Sequence, residues 1–212
     1  MVGWHMTPAP PSHLANVGGE VLPDEFGTEP LVGYRGWLVV NAGDQKGYAL
    51  RSLHVPYIWD RDNEAFCHRP ASIFLQGRHV GQLSPDPGCS CGIYAQLPEH
   101  TLSDWERAKV GAVAASGTIA MWGRIIQCEK GYKAQRAEIQ DPVVLDMSCV
   151  PGCDRQPSRI GLPDHSQSPH LAYCDEHVKT ANHQVTVQAG IWLEEVCKQL
   201  SSRYRLDFLS WS

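Results

Sequence analysis

Four potential metal ligands stand in a stretch of this chain that has little else to fold around. From residue 148 to 183 the sequence is dominated by Cys, Pro, His, Ser and Asp, with almost no apolar period. A loop of that length in a compact domain needs something to hold it. Within it Cys149, Cys153, Cys174 and His177 are spaced Cys-x3-Cys-x20-Cys-x2-His. Each short-spaced pair lets one turn present two donors to a tetrahedral ion, which reads as a zinc knuckle or ribbon. Pro151 and Gly152 suit the tight turn that the first pair requires. Metal binding then supplies the folding free energy that an apolar core would otherwise provide. The competing reading is a set of unrelated cysteines in a loop.

The chain holds eight Cys and ten His in 212 residues. An even count could mean disulfides in a secreted chain. The segment MVGWHMTPAPPSHLANVGGEVLPDEFGTEP has neither a charged n-region nor an apolar h-region, so the expected compartment is the reducing cytoplasm. There, clustered Cys and His point to metal. A second cluster comprises Cys67, Cys89 and Cys91, with His79 as fourth ligand. His79 is preferred to His68, which adjoins Cys67 and whose side chain would diverge from it. Cys128 is the substitute if a hairpin folds back over the cluster. The bland alternative is that these are buried thiols. The expected cofactor content is therefore two zinc ions. Each set of four Cys/His ligands leaves no water position, as in a structural site.

Known catalytic patterns are missing from the sequence. There is no HExxH helix, no His-x-Glu with Pro-Cys-x-x-Cys, no GxSxG, no Walker A loop and no GxGxxG after a strand. A hydrolase or nuclease reading would need a carboxylate or water at one metal, and Asp86, Asp154, Asp175 and Glu176 are the candidates. The other histidines (His5, His13, His54, His100, His165, His170 and His183) are scattered through mostly polar loops. With 18 Lys plus Arg against 23 Asp plus Glu, the net charge of −5 argues against a strongly basic, sequence-blind nucleic-acid binder. A local surface remains conceivable in Arg35, Trp37, Arg124, Tyr132 and Lys133, where aromatics alternate with cations. The plainer reading makes these aromatics core and cross-strand pairs. No run of 18 apolar residues suggests a membrane span.

The expected fold is α+β and mainly β: a small barrel or strongly twisted sheet, a zinc knuckle and a C-terminal helix. Residues 1–30, rich in Pro and Gly, read as a flexible leader, 31–147 as the zinc-stapled β domain, 148–183 as the knuckle and 184–212 as helix and tail. The strand candidates are 33–40, 48–59 broken by Pro56, 73–75 and 92–95, then a hairpin of 117–128 and 132–139 about Gly131. Ser103 and Glu106 fit a capping box before a short helix. Leu193, Val196, Cys197, Leu200 and Tyr204 form one helical stripe, expected to pack across the knuckle, which makes Cys197 a core residue.

Several of these segments occur in one order: Tyr34-Arg35-Gly36-Trp37, Trp59, Ala65-Phe66-Cys67, His79, a Pro, Cys89-Ser90-Cys91-Gly92-Ile93-Tyr94-Ala95, Trp122-Gly123-Arg124-Ile125-Ile126, and Gly131-Tyr132-Lys133-Ala134. That pattern resembles a family of uncharacterised proteins from actinobacteria and their phages, over residues 33–177. Its specific part is CxCGxYA together with WGR–GYKA. The family tends to carry His before the glycine turn where this chain has Cys128, so the resemblance implies that Cys128 stays a candidate ligand. It supports the zinc reading of the first cluster and brings no activity with it. The functional expectation is a cytoplasmic, zinc-stabilised, non-enzymatic binding module, in a phage or host-regulatory setting. A protein partner is favoured over nucleic acid; a nucleic-acid binder or a metal-dependent hydrolase or nuclease is the alternative.

Overall fold

Two long segments with a two-residue turn between them organise the structure, a computed structural model that describes residues 20–21, 29–43, 47–53, 57–65, 84–87, 91–97, 113–146, 149, 153, 155–161, 171–180 and 191–207. The strands are β1 (Glu20–Val21), β2 (Leu31–Asn41), β3 (Tyr48–Ser52), β4 (Asp62–Glu64), β5 (Ile93–Gln96), β6 (Ala114–Cys128), β7 (Gly131–Asp146), β8 (Arg159–Gly161), β9 (Leu171–Tyr173), β10 (Ile191–Trp192) and β11 (Leu206–Asp207). A short helix spans Asp175–Thr180 and a longer one Leu193–Arg203. The expected α+β, mainly β composition is therefore observed. The candidate strand at 73–75 and the capping box at 103–106 lie outside the described residues.

β6 and β7 form the expected antiparallel hairpin, with Cys128 opposite Gly131. Its register shifts twice. Between Trp122 and Ile125 the shift is made by Gly123, whose φ of 75° lies in the left-handed region that a side chain disfavours. Between Ser116 and Thr118 the shift lies opposite Pro142. A residue without an N–H is tolerated where the ladder is already interrupted. This carries β7 past Ile139, the expected end of the strand, to Asp146. Gly131 is required by close approach: a Cβ there would stand 2.0 Å from the Ala95 carbonyl oxygen.

The large sheet runs β1-β6-β2-β5-β7-β11, with β3 on β2, β4 on β7, and β6 also on β7. The link from β2 to β5 is one pair, Tyr34 opposite Gln96. The sheet is thus not a closed barrel, which corrects the barrel alternative: a single bridge supplies no continuous ladder along that seam. A second sheet, β10-β8-β9, joins two strands of the stretch read as loop to a strand directly before the longer helix.

The core combines alternate residues of the large sheet (Trp37, Val39, Leu50, Ile119, Met121 and Ile139) with Val196, Leu200 and Tyr204 of the helical stripe. Trp37 and Trp59 meet edge to face at 5.5 Å. Cys197 is half-buried against this cluster. The longer helix is fastened to β3, not only to the Cys-rich segment as expected. Gln199 Oε1 accepts from the Tyr48 amide at 3.3 Å. The Tyr204 hydroxyl accepts from the Leu50 amide at 3.3 Å and donates to the Trp59 carbonyl at 2.6 Å.

Tyr204 is 4% exposed, so removing its hydroxyl leaves two backbone groups without partners in a dry environment. Tyr204→Phe should therefore destabilise the protein by about 1–3 kcal/mol. Urea unfolding of the wild type and the variant measures this, and equal midpoints would show that the hydroxyl holds nothing.

Candidate metal centre

The four residues of the Cys-rich segment reach one point from three directions. Cys149 bridges to Ala172 of β9 as an isolated parallel pair. Cys174 follows directly on β9, and His177 lies in the first turn of the short helix. Cys153 stands in the chain between Cys149 and β8. Their ligand atoms all lie within 4.8 Å of one another. Cys149 and Cys174 are buried, and Cys153 and His177 are half-buried. The residues expected from spacing to share an ion are thus brought together, and they could hold a metal.

The edges of the cluster can be compared with those of a coordination tetrahedron. Zinc–sulfur bonds of about 2.3 Å and zinc–nitrogen bonds of about 2.0–2.1 Å place sulfurs about 3.8 Å apart and sulfur from nitrogen about 3.6 Å apart. Here Cys153 Sγ lies 3.9 Å from Cys174 Sγ. His177 Nδ1 lies 3.4 Å from Cys149 Sγ and 3.3 Å from Cys174 Sγ. The donor set, three thiols and an imidazole, suits zinc chemically as well as in dimension.

The local backbone prepares the thiols for that role. Cys174 caps the short helix: its carbonyl accepts from the Val178 amide at 3.0 Å. Its sulfur sits where the helix amides point. The His177 amide lowers the Cys174 pKa most, opposed by desolvation and aided by the His177 ring, Cys149 and the Glu176 amide, and the thiol is held down at about 6. The Cys174 amide in turn donates to Cys149 Sγ at 3.3 Å. Asp175 and Glu176 occupy the first turn, where the helix dipole favours negative charge. Ser158 Oγ donates to Asp175 Oδ1 at 2.6 Å, and Arg155 pairs with Glu176, fastening the helix start to the chain before β8. The sequence reading did not find this helix. Its available signal was the acidic pair that directly follows Cys174.

Three members of the first proposed cluster, Cys67, His79 and Cys89, lie outside the described residues. Cys91 is half-buried just before β5, and Cys128 is half-buried at the end of β6. Neither joins a group of three or more potential ligands among the described residues. Burial pushes the Cys128 thiol up, and Lys133 partly offsets this.

The residues grouped as a candidate binding surface differ in exposure. Trp37 is fully buried and Lys133 is 2% exposed, with Nζ donating to the Asp86 carbonyl at 2.9 Å. Trp37 lies on the face of β2 that joins the core and so offers no stacking face. Arg35 donates through Nη2 to Ser52 Oγ at 2.9 Å and through Nη1 to the Tyr94 carbonyl. Its guanidinium lies 4.6 Å from the Trp59 ring centroid. Arg124 and Tyr132 are half-buried, and the Arg124 amide donates to Gln135 Oε1 at 3.3 Å.

No protein-family model, curated protein or solved structure matches the chain.

Held at about 6 against an ordinary 9.0, the Cys174 thiol contributes stability that is complete above pH 9 and lost as pH falls through 6. A metal ion must displace one further proton below that point. Zinc affinity should therefore fall an additional tenfold or so per pH unit below about pH 6. Competition with a chromophoric chelator from about pH 5 to 8 reads this slope, and a slope that does not steepen would count against a preformed Cys174 thiolate.

Proposed function

We propose that Cys149, Cys153, Cys174 and His177 bind a structural zinc ion, and that the protein is a zinc-stabilised binding module without catalytic activity. The observation that carries this reading is the convergence of three sulfurs and one imidazole nitrogen within 4.8 Å. Four such ligands fill a tetrahedron and leave no position for a reactive water. Zinc would tie Cys149, Cys153 and the β9–helix junction into one knuckle. A second zinc ion at Cys67, His79, Cys89 and Cys91, with Cys128 as substitute for His79, belongs to the same proposal.

A protein is the proposed partner, in a cytoplasmic setting and with a regulatory role in a phage or its host. Val32 and Tyr34 support this: they are 55% and 39% exposed on the same face of β2. Among the described residues they are the exposed large apolar side chains. No helix among those residues is long and apolar enough to cross a membrane. The burial of Trp37 and Lys133 removes two members of the alternative nucleic-acid surface.

Metal analysis of the purified full chain should give two zinc ions per molecule. Cys153→Ser should lower the content by one and open residues 148–183 to protease, while the far-ultraviolet signal of the β sheet is largely kept. Zinc content and protease resistance both unchanged in Cys153→Ser would overturn the C-terminal site. A wild-type content of one, lost in Cys153→Ser, would uphold that site and remove the second.

A further inference from the structure

A buried cation normally lies beside an anion, because taking the charge out of water costs more than neutral hydrogen bonds return. Arg35, half-buried on β2 with its Nε shielded, departs from this rule. Its acceptors are both neutral, a serine hydroxyl and a backbone carbonyl. Its Nε is shielded from solvent and has no hydrogen-bond partner. Among the described residues no carboxylate pairs with it. Burial alone lowers its pKa, to about 10.

The surroundings are specific. Arg35 stands one residue beyond the single pair that joins β2 to β5, where those two strands part. Nη1 holds the Tyr94 carbonyl across that gap. Ser52 Oγ accepts from both Arg35 Nη2 and Trp59 Nε1, the latter at 2.8 Å. One guanidinium face lies over Trp59. Bonded at both terminal nitrogens and stacked on an indole, the guanidinium is fixed in orientation before any ligand arrives. Three of its five N–H groups remain, Nε–H and one on each terminal nitrogen. The edge formed by Nε–H and a terminal N–H matches the two oxygens of a carboxylate.

We propose that Arg35 is the receptor for a carboxylate group that enters the gap between β2 and β5. A flat edge of paired N–H donors suits the two oxygens of a planar carboxylate. The carboxylate belongs either to a small acid or to the side chain or C-terminus of a peptide. The proposal does not depend on the metal centre, and the two can fail separately.

The Nε–H resonance of Arg35 tests this in the 15N-labelled full-length protein. It is assigned through bonds from the Arg35 backbone, so no variant is needed to identify it. Titration with sodium acetate at constant ionic strength, set by sodium chloride, should shift the Arg35 resonance downfield in a saturable way. The Arg136 resonance should stay in place, since that residue is paired at the surface with Glu64. A parallel titration uses a short peptide ending in a free carboxylate and its C-terminal amide. Saturation by acetate and by the acid peptide assigns a small-acid site, and saturation by the acid peptide alone assigns a peptide site. An Arg35 resonance that ignores acetate and acid peptide alike would overturn the proposal. So would one that shifts equally with the amide peptide, with chloride, or more strongly with inorganic phosphate. Arg35→Lys, if folded by near-ultraviolet circular dichroism, should lose the ligand-induced rise in melting temperature.

Discussion

Almost every part of the large sheet is hung on the pairing of β6 with β7. β6 also carries β1 and β2, and β7 also carries β4, β5 and β11. β3 reaches the hairpin through β2, and the longer helix reaches it through β3. The hairpin can take so many partners because it is long and because its two register shifts change the direction of the strands. The first shift uses the positive φ of Gly123, and the second accommodates Pro142. At its turn end, Gly131 lets β5 come closer than a side chain would permit. Local backbone chemistry at three positions thus sets which strands can meet.

The Cys-rich segment solves a different problem. Its strands β8 and β9 have three residues each, too few to stand alone. They bury Ile160 and Ala172 in the same core as Val196 and Leu200, so one edge of the small sheet is anchored to the large one. The opposite end, with Cys149, Cys153, Cys174 and His177, has polar and thiol groups where a core would need hydrocarbon. A metal ion held by these four groups would supply that end with a centre. Backbone amides aimed at Cys174 and Cys149 stabilise negative sulfur, which would lower the cost of gathering three thiolates.

How much of this was legible depends on the range of the signal. The hairpin was legible because its β-branched and apolar content is continuous on both sides of one glycine. The helix was legible because Val196, Leu200 and Tyr204 repeat at helical spacing. The metal centre was legible because short Cys/His spacings are a local property of the chain. The three-residue strands β8 and β9 were not, since no period can be read over so few residues and their pairing is fixed by the core they join. β7 runs past Ile139, where the alternation in the sequence ends, through an irregularity at 141–143 that takes in Pro142. The helix was expected over the knuckle, whereas its hydrogen bonds run to β3, a choice made by tertiary contacts alone. Residues 66–83, 88–90 and 98–112, with Cys67, His79 and Cys89 of the first proposed cluster, lie outside what the structure describes.

Arg35 shows most clearly why a strand pattern cannot by itself assign a surface. Tyr34-Arg35-Gly36-Trp37 alternates, and period two says only that Arg35 and Trp37 share one face. A charged residue ordinarily marks the solvent side, which places Trp37 there as well. The structure puts both on the inner side, since Trp37 is fully buried and its partners Ala115 and Ser52 are buried too. The outward face carries Val32 and Tyr34, and Trp37 is a core residue as the plainer reading has it. Burying Arg35 is tolerable because Ser52 and the Tyr94 carbonyl take its terminal nitrogens and Trp59 covers its face. In return the guanidinium spans the gap where the β2–β5 ladder stops after one pair. A hydrocarbon side chain there could fill the space but could not hold the Tyr94 carbonyl. The same residue therefore serves the fold through its terminal nitrogens and leaves its Nε edge to recognise a carboxylate.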